Sequence, residues 1–161
     1  MNKIFKLGRI IAISALCMVL LVGCGSSDKT TTAKISSKNA NGEQNIELQM
    51  IHDGETVKKQ KQNAVMKFAS KEIYDAFLAQ MKTSGYEAIA KEYKGIEYNL
   101  TSTDSTMTVE ENIVLDFSKL PAEGYKKMTN GAVKVTDPYK IDLETTVKSL
   151  KSQGYTITEE K

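Results

Sequence analysis

The stretch "GIEYNLTSTDSTMTVEENIVLDF", residues 95–117, decides the fold. Ile96, Tyr98 and Leu100 alternate with polar residues as in a half-buried strand, the polar "TSTDST" interrupts the pattern, and Met107, Val109, Ile113, Leu115 and Phe117 resume it. Two such runs joined by turn-forming residues predict an antiparallel hairpin. One position disagrees with its neighbours: Glu111 falls in an inward slot, where an ionised carboxylate is costly unless paired or hydrogen-bonded. Three readings stay open: a bulge turns it outward, a lysine satisfies it, or it marks a site. The adjacent Glu110 points to the opposite face of a regular strand, so the two acids cannot form a catalytic dyad there.

Upstream of this hairpin the period changes. Ser70 is placed as an N-cap with Glu72 and Asp75 in the first turn, and Ile73, Tyr74, Phe77, Leu78 and Met81 form one apolar stripe of an amphipathic helix. Gly85 interrupts it; Tyr86, Ile89, Ala90 and Tyr93 extend the stripe as a second piece before Gly95. Further back, Ile46, Leu48 and Met50 alternate before the turn dipeptide Asp53-Gly54, which predicts a first hairpin. Its return strand carries Lys58, Lys59 and Lys61, read as guards of an exposed edge in preference to a basic docking strip.

Downstream, Pro121 opens a loop with Asn130-Gly131 as a turn and Val133 to Val135 as a short strand. Asp142 then caps a last helix with Leu143, Val147 and Leu150 in its stripe, Gly154 closes it, and Tyr155 and Ile157 return to the core. The order hairpin, helix, hairpin, helix, short end strand predicts an α+β fold. Its antiparallel sheet is built from two hairpins, with two main helices packed on one face, and residues 43–161 form the single domain.

The chain ahead of that domain reads as an address. Lys3, Lys6 and Arg9 precede thirteen apolar residues, Ile10 to Val22, and Gly23-Cys24 follows: a secretory signal peptide over residues 1–23. Leu21-Val22-Gly23-Cys24 resembles the lipobox of bacterial lipoproteins, in which the cysteine thiol takes a diacylglyceryl group and the amine freed by cleavage takes a further acyl chain such as palmitate. Two acyl chains give a stable anchor where one does not. Cys24 is therefore the expected lipid attachment site, with the protein on the outer, extracytoplasmic side of the cell membrane. Residues 24–42, dominated by Gly, Ser, Thr, Asn, Lys and Ala, are expected to be a disordered tether holding the domain roughly 20 to 25 Å from the bilayer.

Removing residues 1–23 takes three of the 22 basic side chains and none of the 20 acidic ones, so the net charge moves from +2 to −1. Arg9, the sole arginine, leaves with the signal. A near-neutral chain without arginine is a poor nucleic-acid binder. His52 is the single histidine, so neither a His-based zinc site nor a Ser-His-Asp relay can be assembled, and no phosphate-binding glycine loop occurs. No cofactor or metal is expected.

Five motifs in fixed order carry a family resemblance: "GETVKKQ", the "FA" before the helix, "GIEYNLTSTD", "EENIVLD" and the closing "LKSQGYTITEE". In these the chain resembles the YehR-like lipoproteins, a small bacterial family of uncharacterised function, over most of residues 43–160. The resemblance implies an exported, lipid-anchored α+β domain and transfers no catalytic residue. Two functions are compatible with the residues. One is a non-catalytic binding or interaction module for an envelope protein, peptide or small ligand, using tyrosines such as Tyr86, Tyr93, Tyr98 and Tyr125. The other is a small cell-envelope hydrolase using carboxylates such as Glu111.

Overall fold

A computed structural model describes residues 28–159. Three long strands open it: β1 (Lys29–Asn39), β2 (Gly42–His52) and β3 (Thr56–Phe68). Helices α1 (Lys71–Thr83) and α2 (Tyr86–Glu92) lead to the hairpin of β4 (Ile96–Thr103) and β5 (Thr108–Asp116), and then come α3 (Ala122–Met128), β6 (Ile141–Asp142), α4 (Leu143–Ser152) and β7 (Thr156–Glu159). The strands form one open antiparallel sheet in the order β4-β5-β3-β2-β1-β7, with β6 pairing the start of β3. Helices pack against one face. The fold is α+β as the patterning requires, and both expected hairpins are present.

The core follows the alternation read from the sequence. Leu48 and Met50 of β2, Met66 and Phe68 of β3, and Val109, Ile113 and Leu115 of β5 are buried on the helix side. Phe68 holds α1 down through Tyr74 and Phe77, at ring separations of 5.9 and 5.0 Å. Ser70 accepts from the Ile73 amide at the start of α1, and Asp142 accepts from the Thr145 amide at 2.7 Å at the start of α4, both as caps. The opposite sheet face is polar, with pairs such as Lys34 to Glu47 at 2.8 Å and Asn63 to Glu110 at 2.7 Å.

Three expectations need correction. Residues 29–39 are not part of a disordered tether: β1 pairs β2 along its whole length, from Lys29 opposite His52 to Asn39 opposite Gly42, and β7 covers part of its other edge. The domain therefore starts well before residue 43. Composition misleads there because β-branched threonines and small residues suit a strand flanked on both sides, and Thr31 and Ala33 are buried with almost no hydrophobic surplus. The signal that reveals it is Asn41-Gly42, a hairpin dipeptide. Gly42 has φ +143°, and a Cβ there would lie 2.1 Å from the Lys67 carbonyl oxygen, so only glycine closes this turn.

The second correction concerns the lysines of β3. They do not guard an edge, because β3 lies inside the sheet between β2 and β5; Lys59 and Lys61 project onto the open polar face. Third, the segment after Pro121 forms α3, not a loop. Val133 and Val135 are buried without forming a strand. Helix α3 is held by Tyr125, which stacks on Tyr139 at 5.6 Å and meets Phe117 edge-on at 5.5 Å. An isolated seven-residue helix is marginal by propensity alone, so this one depends on that aromatic packing.

Because β1 is a paired strand, a version of the domain starting at Gln44 is expected to lose the cooperative thermal transition that a version starting at Asp28 retains. Circular dichroism melts of the two check this, and limited proteolysis of the longer one is expected to spare residues 29–39.

Candidate functional site

The candidate site is built where β4, α1 and α2 meet. Gly85, at φ +77°, separates the two helices and turns α2 toward β4. Between the end of α1, α2 and β4 lies a groove of about 450 Å³, within the range of small-ligand sites. Met81, Ala88, Tyr98 and Leu100 supply its apolar wall, while Lys82, Lys91 and Glu87 stand at its margin. Lys91 and Glu87 form an exposed ion pair at 3.1 Å, which contributes little to stability.

Glu111 lies directly behind this wall. The ladder is regular across it, with Ala64 opposite on β3 and Leu100 opposite on β4, so no bulge turns it outward. It is fully buried, and no lysine reaches it; neither carboxylate oxygen nor the Tyr98 hydroxyl has a hydrogen-bond partner of ordinary geometry. Of the three readings left open by the sequence, the first two fail. Burial pushes the Glu111 carboxyl up to about 7, against a smaller downward pull from the neighbouring Tyr98 hydroxyl. Burial, and next the Glu111 charge, holds the Tyr98 phenol far above its usual range.

Tyr86 completes the cluster. Its ring lies 5.8 Å from that of Tyr98 and its hydroxyl accepts a hydrogen bond from Asn130 Nδ2 at 3.2 Å. Burial raises its pKa, opposed by the Asn130 bond. Of the four tyrosines expected at a binding surface, Tyr98 alone lines the groove. Tyr86 is buried behind it, Tyr125 is core at 1% exposure, and Tyr93 packs under the Lys127 ammonium, 4.9 Å from its ring centroid. Helical spacing identifies a stripe but not which residue ends at its open margin.

Glu110 lies on the other sheet face, as expected, and accepts from Asn63 and from Asn112 Nδ2 at 3.2 Å. His52 is structural. Its Nδ1 accepts from the Gly54 amide at 3.0 Å, which places the proton on Nε2, 2.9 Å from Thr31 Oγ1. Burial lowers its pKa. Among the described residues there is no group of three or more side chains able to hold a metal ion, and no helix long and apolar enough to cross a membrane. Cys24 and the signal segment lie outside the described residues.

A family described as "Protein of unknown function (DUF1307)" matches residues 31–156, and the chain belongs to that family. An "Uncharacterized lipoprotein Lmo0207" of Listeria monocytogenes is 23% identical over 153 residues, 95% of this chain and 96% of that protein. Two solution structures share the fold. One is the Escherichia coli YehR protein, at TM-score 0.56 and 24% identity over 84% of this chain and 96% of that one. The other is a Streptococcus pneumoniae protein, at TM-score 0.58 and 12% identity over 91% and 94%. The resemblance to the YehR-like lipoproteins drawn from the five motifs thus holds.

Glu111 and His52 give stability opposite pH slopes. The folded state holds the Glu111 proton more tightly than the unfolded chain, whose carboxyl titrates near 4.5, so this contribution is complete below 4.5 and is lost as pH rises through about 7. The lowered His52 pKa acts the other way, with stability lost as pH falls below 6.5. Glu111→Gln mimics the protonated acid. Urea midpoints are expected to show it equal to wild type near pH 4 and more stable above pH 7, by up to roughly 3 kcal/mol at 1.36 kcal/mol per pH unit.

Proposed function

We propose that the chain is an extracytoplasmic lipoprotein, anchored through acyl chains on Cys24, that works as a non-catalytic binding module. The succession of n-region, apolar run and lipobox in the sequence supports the anchor, as does the relative named a lipoprotein over nearly the whole chain. Its occupant is an extended peptide segment of an envelope protein, added as a strand beside β4 with side chains entering the groove. One observation carries this reading: β4 is an eight-residue edge strand left without the usual guards. It has no lysine and no proline, and Glu97 is its one charged residue. The other edge is blunted, since β7 has four residues and Lys38, beyond it on β1, is tied to Glu43. A free edge supplies main-chain hydrogen bonds, and the adjacent groove supplies side-chain selectivity.

The hydrolase reading rests on Glu111 alone. Its raised pKa suits a general acid. Glycoside hydrolysis nevertheless needs a second acid across a cleft, and Glu110 is turned to the other face.

Replacing Cys24 with alanine is expected to leave the membrane-fraction protein without the mass of acyl chains, read by intact-mass spectrometry; an unacylated wild-type protein would remove the anchor. For the partner, a photo-crosslinking residue at Asn99, exposed on β4 beside the groove, is expected to give a discrete envelope-protein adduct. The same probe at Lys61 on the open sheet face is expected to give none. Equal adducts from both positions, or an adduct of twice the chain's own mass, would replace this reading with non-specific contact or self-pairing.

A further inference from the structure

We infer that the end of the sheet where β1 begins is the membrane-facing pole, resting on lipid headgroups, and that it holds the β4 groove at a set height above them. The inference rests on acylation of Cys24, as proposed above, and adds to it a geometry that comes from β1.

Asp28 and Lys29 are already part of the folded domain. Lys29 pairs with His52 on β2, and the Asp28 carboxylate binds the Lys58 ammonium at 2.7 Å. Three residues, Gly25 to Ser27, separate Cys24 from Asp28 in the sequence. Even fully extended, the four steps from Cys24 to Asp28 reach no more than about 14 Å. An 18-residue tether would leave the domain free to tumble; this leash holds one pole close.

That pole collects the end of β2 at His52, the turn Asp53 to Glu55, and the end of β5 at Asp116. Its surface is polar and largely self-paired: Asp28 with Lys58, and Asp116 with Lys119 at 2.9 Å. The Asp53 carboxylate is tied down by the Thr56 and Glu55 amides at 2.8 and 3.1 Å. These charged and hydrogen-bonded side chains suit contact with hydrated headgroups and not with acyl chains. Net charge does not orient the domain; the attachment point does.

The opposite pole carries the β1–β2 turn at Ala40-Asn41, the start of α1 and the β4–β5 connection. Over the eleven residues of β1, at about 3.4 Å each, the poles lie roughly 35 Å apart. The sheet register also places the groove. Tyr98 aligns through Ile113, Gln62 and Leu48 with Ala33, four residues from Lys29, so the groove opens about 14 Å above the lower pole.

The mature chain has no thiol besides Cys24, so a single added cysteine takes a fluorophore cleanly once Cys24 is acylated. Full-length acylated protein carrying Glu55→Cys or Ala40→Cys would be reconstituted in phosphatidylethanolamine–phosphatidylglycerol vesicles containing a nitroxide-headgroup quencher lipid. Position 55 is expected to be quenched severalfold more than position 40. Inserting about fifteen Gly and Ser residues after Ser26 is expected to erase the difference. Equal quenching, or stronger quenching at 40, in protein that floats with vesicles and carries the acyl mass overturns the orientation while leaving the anchor intact. Missing acyl mass overturns the anchor and the orientation with it.

Discussion

The fold depends on the pairing of β3. This thirteen-residue strand is hydrogen-bonded to β2 along one edge and to β5 and β6 along the other. It therefore joins the amino-terminal hairpins to the β4–β5 hairpin and to the carboxy-terminal helix. Its helix-side residues Val57, Ala64, Met66 and Phe68 are buried in the core, with Phe68 meeting Tyr74 and Phe77 of α1, and its open-side lysines keep the other face wet. Were its register to slip by one residue, both sets would exchange faces. Asp53-Gly54 at one end and the Phe68 aromatic contacts at the other hold that register in place.

What could be read from the sequence followed local pattern. The β4–β5 hairpin, the Asp53-Gly54 turn, the capped helices and the inward placement of Glu111 all follow from alternation, turn chemistry and capping, which act over a few residues. The errors came where a distant partner decides. A threonine-rich segment becomes β1 because β2 and β7 flank it, and the lysines of β3 sit mid-sheet because β5 arrives from residues 108–116 to pair beside it. Helix α3 exists because Tyr139 and Phe117 lie against Tyr125. Neither the groove nor its edge strand is encoded in any single stretch: β4 is an edge only because nothing else in the described chain pairs there.

Glu111 shows how a local conflict can survive in a stable domain. A valine or isoleucine in that slot would satisfy the pattern and remove a desolvation cost, whereas the acid stays neutral through much of the acidic range and shares its surroundings with two phenols. Sequences tend to break their own rules at sites of use. Here the break lies one side chain behind the wall of the groove, next to Tyr98, which lines it.

The unguarded edge of β4 carries a hazard in any exported protein, because a bare strand edge templates pairing with copies of itself. Symmetry limits that hazard here. Joining two copies edge to edge in antiparallel fashion requires a two-fold axis that reverses strand direction, and such an axis exchanges the poles of the sheet. In the orientation proposed above, two molecules held by the same pole to the same leaflet cannot satisfy it, since one would have to stand upside down. Anchored as proposed, the chain would obey a selection rule on association, closed to antiparallel pairing with neighbouring copies yet open to a partner chain that approaches from above.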